Sequence, residues 1–291
     1  MFAQQMINAL MIGSMYALIA IGYTLVFGML NMLNMAHSSV FMISGFIALF
    51  LTTLLKLPLV IALIATMILT GAVSILVEIC CFRFVRKEYP LAPMLSTIGF
   101  GLILSNLAVN YAGSEAREFP SAIAFQDIHF GGLLISASQG FILLMSISLM
   151  VGLALFIKKT RMGRAMRAIA ENYTVAQLLG VPVGRVIAAT FFISGALAGA
   201  AGFFIGLRFG KIDPFIGLSF GLKGLAIMII GGLGNVYGSM VLGVLVGFVE
   251  VMMVAYFSDA YTPVAVWGLL IIILIFAPDG LFGSQIKAEK V

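Results

Sequence analysis

The chain has 291 residues, of which 62% are hydrophobic and only 9% charged, and its mean hydropathy is +1.18. Soluble domains carry about 25% charged residues, so a water-soluble globular protein is excluded. The net charge of +5, from 16 Lys and Arg against 11 Asp and Glu, is too sparse and scattered to form a nucleic-acid surface and instead reports membrane orientation.

A helical crossing takes roughly 20 apolar residues. Apolar runs bounded by polar, Gly or Pro punctuation predict spans near 6–29, 38–55, 59–82, 91–112, 140–157, 185–207, 217–233, 236–257 and 262–277. The expected class is therefore all-α, a polytopic integral membrane protein of about nine transmembrane helices. One transmembrane domain, 1–291, accounts for the whole length. No Lys or Arg precedes the first run, MFAQQMINALMIG, so it lacks the basic region of a secretory signal and is expected to remain as a span.

Between the spans lie two longer links. The 113–139 segment carries Glu115, Arg117, Glu118, Pro120, Asp127 and His129 and is expected to be a solvated external loop with a short surface helix. The 158–184 segment is expected to be cytoplasmic. Nine spans divide the basic residues into two sets. Arg83, Arg86, Lys87, Lys158, Lys159, Arg161, Arg164, Arg167, Arg185, Lys287 and Lys290 fall in one. Lys56, Arg117, Arg208, Lys211 and Lys223 fall in the other. Short basic loops stay in the cytoplasm, so the N-terminus is expected outside and the C-terminus inside the inner (plasma) membrane. Cys80 and Cys81 are adjacent and are expected to be packing residues rather than a disulfide.

Glycine recurs at four-residue spacing inside spans, as Gly195 and Gly199, Gly202 and Gly206, Gly217 and Gly221, Gly243 and Gly247. Small residues so spaced let helix backbones approach closely in lipid. Two stretches are expected to break helices, where irregular backbone lines a cavity or simply turns. One runs from Gly28 to Ser39 and holds Asn31, Asn34, His37 and Ser38. The other runs from Gly231 to Gly238 and holds Gly232, Gly234 and Asn235. Both follow a span of the same direction, the pattern of a parallel internal repeat.

The sequence has no GxxxxGK followed by Ser or Thr, no HExxH and no CxxC, so no catalytic residue, metal site or cofactor is expected. Ionisable residues within spans are costly and default to functional suspects. Glu78 is expected to pair locally with Arg83, and Glu250 either pairs with Lys223 or Arg208 or lines the pathway. His37 either contacts substrate or braces a helix start. From Gly163 to Leu179 the composition is that of an amphipathic helix, stopped by Gly180 and Pro182. Nothing else in the chain is expected to cover its apolar face, which leaves the bilayer surface or a groove on a partner protein.

The chain resembles the smaller of the two permease types of branched-chain amino acid ABC transporters. The resemblance spans essentially the whole length. It rests on Gly13-Ser-Met-Tyr16-Ala17-Leu-Ile-Ala20-Ile-Gly22-Tyr23, Asn34-Met-Ala36-His37, the stretch from Gly163 to Gly180, Ile230-Gly-Gly232-Leu-Gly234-Asn-Val-Tyr-Gly238, and Pro278-Asp-Gly280-Leu281. It implies that 160–184 is the coupling element, with Gly163, Arg164, Arg167, Glu171, Asn172, Ala176 and Gly180 on its motif. It further implies a second permease subunit in a heterodimer, two cytoplasmic ATP-binding subunits and an external substrate-binding protein. The family usually has Gly-Glu after the histidine, where this chain has Ser38 and Ser39. The implied function is ATP-driven import of a branched-chain or other hydrophobic amino acid. Urea or a short amide, and a stand-alone secondary carrier, are the alternatives.

Overall fold

The computed structural model describes residues 2–85, 91–120, 128–130 and 133–283. Arg86, Lys87, Asp127, Lys287 and Lys290, which enter the orientation and loop arguments, lie outside these. Among the described residues seven helices are long and apolar enough to cross a membrane, and two apolar helices are shorter. In chain order they are α1 (Phe2–Leu30), α2 (His37–Thr53), α3 (Leu59–Val77, continued by a π-helical turn over Glu78–Arg83) and α4 (Leu91–Ala112). Then come α5 (Ala137–Lys159), the two short helices α6 (Arg161–Glu171) and α7 (Tyr173–Leu178), and α8 (Val183–Phe209). The series ends with α9 (Ile216–Gly231), α10 (Val236–Tyr256) and α11 (Thr262–Phe276). Every apolar run named above is a helix, and the protein is an all-α, multi-pass membrane protein.

The described residues of the 113–139 link show no surface helix before α5 opens at Ala137. They form strands instead: β1 (Arg117–Glu118) pairs antiparallel with β4 (Lys211–Ile212), and β2 (Ile128–Phe130) pairs with β3 (Leu133–Ile135). Phe119 anchors the first pair by standing edge-on to Phe203 of α8, 5.9 Å between ring centroids. A short extended segment gains ladder bonds from the returning chain after α8, which a reading of one loop in isolation does not see.

α1 and α8 are the axis of the molecule, with most of their middle residues buried. In lipid, no hydrophobic force distinguishes a neighbouring helix from an acyl chain, so close backbone approach decides the packing. The paired glycines supply it. A Cβ on Gly243 would lie 2.6 Å from the Ala17 Cα of α1, and Gly247 meets Gly13 of the same helix. Gly195 and Gly199 seat α8 on α3, and Gly202 seats it on Ser44 of α2. The side chains that face outward from α4, α5 and α11, such as Leu95, Leu102, Leu144 and Ile271, are apolar and exposed, as lipid or partner contact requires.

α2 and α9 have 17 and 16 residues, about 26 and 24 Å at 1.5 Å per residue, short of a hydrocarbon core of about 30 Å. Both begin inside the protein. His37 opens α2 against Gly22, eight residues, or about 12 Å, before the end of α1. The first turn of α9 lies on α2, with Gly217 against Ser38 and Met42 and Gly221 against Ser38.

Candidate functional site

Apart from Asn31, which borders a separate cavity on the α6 face, the residues expected to line a pathway fall into three places. The first is a groove of about 400 Å³ between α2, α4 and the entry to α9, lined by Met35, Ser38, Ser39, Leu102, Ser105 and Asn106 among others. The chain between α1 and α2 is held there by side chains. Thr97 of α4 accepts from the Met35 backbone N–H at 3.2 Å, Ser38 donates to the Met35 carbonyl at 3.1 Å, and the Ser39 and Ser105 hydroxyls are 3.3 Å apart. α2 and α9 both present their N-terminal ends to this groove, where unsatisfied N–H groups and the helix dipole favour an anionic group. Ser38 is the one predicted residue that lines it. Ser39, Ser105, Asn106 and the α9 entry at Pro214 to Gly217 were not predicted, because Ser and Asn on a lipid-length helix carry no signal of their own.

His37 lies beside the groove but does not open onto it. It is fully buried, stands edge-on to Tyr23 at 4.5 Å, and has Ser194 Oγ 3.4 Å from Nδ1. Ser194 in turn donates to the Gly22 carbonyl at 2.7 Å. A side chain at position 22 would collide with the imidazole. This geometry ties the start of α2 to α1 and α8. Asn34, one turn earlier, is also buried.

The second place is the turn between α9 and α10. Gly232 and Gly234 have φ of +98° and +82°, a region that side chains rarely adopt. Asn235 caps α10 by accepting from Gly238 N–H at 3.1 Å and donates to the Phe282 carbonyl at 2.8 Å. Leu281 N–H donates to the Ile230 carbonyl at 2.8 Å. The Pro278–Gly283 turn after α11 therefore clasps this break shut, and Gly28 of α1 packs on Gly234. These residues do not reach the groove of Ser38.

The third is an ion pair halfway along α1. Lys223 Nζ of α9 lies 3.0 and 2.9 Å from the two carboxylate oxygens of Glu250 on α10. Tyr16 of α1 donates to Glu250 at 2.8 Å and its oxygen accepts from Lys223 at 2.9 Å. Lys223 therefore belongs to a helix interior and not to the loop set in which the charge count placed it. Glu250 meets Lys223 and not Arg208. Near the opposite end of α3, Arg83 pairs with Glu78 at 3.3 Å, and the cysteines are both free, Cys81 buried and Cys80 exposed.

The expected amphipathic helix from Gly163 to Leu179 is two helices. Thr160 caps α6 by accepting from Gly163 N–H at 3.0 Å, and Asn172, in extended conformation, caps α7 by accepting from Val175 N–H at 3.0 Å. An Asn side chain that satisfies the next turn's N–H groups competes with helix continuation, which is why the break falls there. The expectation that nothing in the chain covers the apolar face fails for α6: Gly163, Met166 and Ile169 are buried against α1, α5 and α8. Arg167 donates to the Ile157 carbonyl at the end of α5, and Arg164 and Glu171 are exposed. The uncovered apolar residues are on α7 and just beyond it, Leu178 and Leu179 at 81% and 78% exposure. Ala176 is buried, and Gly180 ends the element with φ +80°.

This arrangement of apolar helices with an amphipathic excursion between α5 and α8 has counterparts among known proteins. Residues 5–277 match the family model described as the permease component of branched-chain amino acid transport systems. The chain belongs to that family. Its permeases include BraD of Pseudomonas aeruginosa, a high-affinity branched-chain amino acid transport system permease protein. BraD is 37% identical, with 100% of this chain and 98% of that protein covered. LivH of Escherichia coli, which bears the same description, is 36% identical over the same shares. Among solved structures, PsaBC from Streptococcus pneumoniae in complex with Fab covers 94% of this chain and 92% of its own, with a TM-score of 0.52 and 13% identity. That likeness extends to the fold alone. As a permease of this family, the protein is a transport component of the membrane.

Proposed function

We propose that this permease forms half of the translocation pathway of an ATP-driven importer for branched-chain or other hydrophobic amino acids. The observation that carries the reading is the convergence of two helix N-termini, the hydroxyls of Ser38, Ser39 and Ser105 and the Asn106 amide on one largely apolar groove. Half-helix N-termini inside a membrane protein suit a carboxylate, and the Met35 and Leu102 walls suit a hydrocarbon side chain. The high-affinity branched-chain amino acid permeases among the relatives support the same substrate class.

The single domain 1–291 sits in the inner membrane, its N-terminus outside and its C-terminus in the cytoplasm. The basic residues support this, since Arg83, Lys158, Lys159, Arg161, Arg164, Arg167 and Arg185 are on the α6 face. A second permease subunit faces the groove from the other side. The LivM permease protein of Escherichia coli, 25% identical over 64% of this chain, has the relatedness expected of such a partner. Two ATP-binding subunits dock on α6 and α7, and a binding protein delivers substrate from outside. Arg164, Glu171, Leu178 and Leu179 offer the docking face, while Gly163 and Arg167 fix α6 to the end of α5, so that movement of the docked subunit reaches the spans.

The test is uptake by the complex purified with its co-expressed partners. With leucine outside and ATP inside proteoliposomes, Ser105→Leu and Asn106→Leu are expected to lower uptake at least tenfold while leaving assembly intact. Unchanged leucine uptake in both variants would remove the groove from the pathway, and uptake of urea in place of leucine would overturn the substrate class.

A further inference from the structure

On the α6 face a second cavity, of about 380 Å³, opens between the end of α1, the π-helical turn after α3, α6 and the start of α8. It is separate from the groove of Ser38 and Ser105, with which it shares no lining residue. Its apolar wall includes Met29, Phe82, Ile169 and Ile187. Among the described residues three charged side chains border it: Glu78, Arg83 and Glu171.

The π-helical turn is what makes this cavity polar at one side. In an α-helix, residues five apart point about 140° away from each other. The i to i+5 bonding of a π turn brings them onto one side, and such turns concentrate at functional sites. Glu78 and Arg83 are the first and last residues of that turn. The carboxylate is deep, with 5% of its side chain exposed, and the guanidinium stands at the mouth, 48% exposed. Their contacts, 3.3 Å from Arg83 Nη2 and 3.3 Å from Nε to the two Glu78 oxygens, are long for charge-assisted bonds, which run at about 2.7–2.9 Å. The pair is held together by the backbone without closing tightly. Asn31, in left-handed conformation at φ +51°, turns the chain away after α1 and keeps the opposite wall open.

We propose that this cavity binds a small zwitterion, a primary ammonium and an oxyanion on an apolar body. The ammonium lies toward Glu78, the oxyanion toward Arg83 and the hydrocarbon along Phe82 and Ile187. A simple anion would meet the buried carboxylate, and a simple cation would meet the guanidinium at the entrance. A zwitterion answers both and replaces one long ion pair by two. Two sources share that chemistry: a free amino acid on the α6 side of the membrane, and the headgroup of an ethanolamine phospholipid at its surface. Choosing leucine as the amino acid rests on the proposed substrate class, whereas the cavity's preference for a zwitterion does not.

The experiment measures binding to the permease and its co-purified partners, without the external binding protein, in phosphatidylglycerol nanodiscs. Radiolabelled leucine is expected to bind saturably. Alternatively, in nanodiscs that also contain phosphatidylethanolamine, native mass spectrometry is expected to find that lipid retained and leucine displaced. Either ligand should be weakened at least tenfold by Glu78→Gln and by Arg83→Gln, and untouched by Gly268→Leu on α11, where a Cβ meets open space. As a check that needs no variant, leucinamide, which lacks the oxyanion, should bind wild-type protein at least tenfold more weakly than leucine wherever leucine binds. Retention of neither ligand, or retention that both cavity variants leave unchanged, would overturn the proposal. So would leucinamide binding as well as leucine. Failure of leucine uptake with cavity binding intact would count against the proposed function alone.

Discussion

The Tyr16, Lys223 and Glu250 cluster shows how single residues hold this fold. Two opposite charges and a phenol, each largely buried, meet where α1, α9 and α10 cross, and every polar atom of the carboxylate has a partner. Removing one partner of such a pair leaves the other charge desolvated, at about 3–5 kcal/mol. Glu250→Gln is therefore expected to lower stability by about 3 kcal/mol, read as a fall in the thermal midpoint of the purified complex. The double replacement Lys223→Met, Glu250→Leu, which removes both charges, should recover most of the loss. A double variant as unstable as the sum of the singles would give the pair no coupling role. Lys223 and Glu250 were legible in the sequence because charges stand out in apolar spans. Tyr16 was not, since nothing in a run of apolar residues says which helix will lie across it. His37 was legible as a polar residue at a break, but its seat between Tyr23 and Ser194 depends on α8, more than 150 residues away.

Among the elements, positions of helices were legible and their starting depths were not. Apolar runs mark what lies in lipid, and all nine became helices. Whether a helix begins at the surface or midway depends on what its first turn packs against, and for α2 and α9 that is a distant part of the chain, Gly22 for His37 and Ser38 for Gly217. The four-residue glycine spacing was a sounder guide. Gly243 and Gly247 press α10 against α1, and Gly243→Leu is expected to destabilise the protein by about 1–3 kcal/mol through overpacking. Gly268→Leu on α11, where a Cβ meets open space, should be nearly neutral. Equal effects at both sites, measured as thermal midpoints in detergent, would contradict the close-approach account. The α6–α7 excursion shows the opposite lesson. Its composition announced one amphipathic helix, yet the local competition of Asn172 splits it, and the tertiary contacts of Met166 and Ile169 bury the face of α6. The exposed apolar surface is left to Leu178 and Leu179.

At the scale of the whole molecule, the permease has two unlike faces and an asymmetric interior. On the α6 face lie the clasped break at Gly232 to Asn235, the zwitterion cavity and the exposed leucines. The strand pair of Arg117–Glu118 with Lys211–Ile212 lies toward the other face. Between them, α2 and α9 start within the body and leave one polar groove. The proposed function requires this architecture to couple ATP hydrolysis by docked partners to passage of an amino acid. The most direct measurement is initial leucine uptake into proteoliposomes holding the purified complex, with and without enclosed ATP, for wild-type protein and for Leu178→Ser, Leu179→Ser. ATP-dependent uptake in the wild type, lost with ATP-subunit association in the variant while the permease itself still melts normally, is the predicted result. Leucine uptake that proceeds without ATP, or that the variant supports at the wild-type rate, would contradict it.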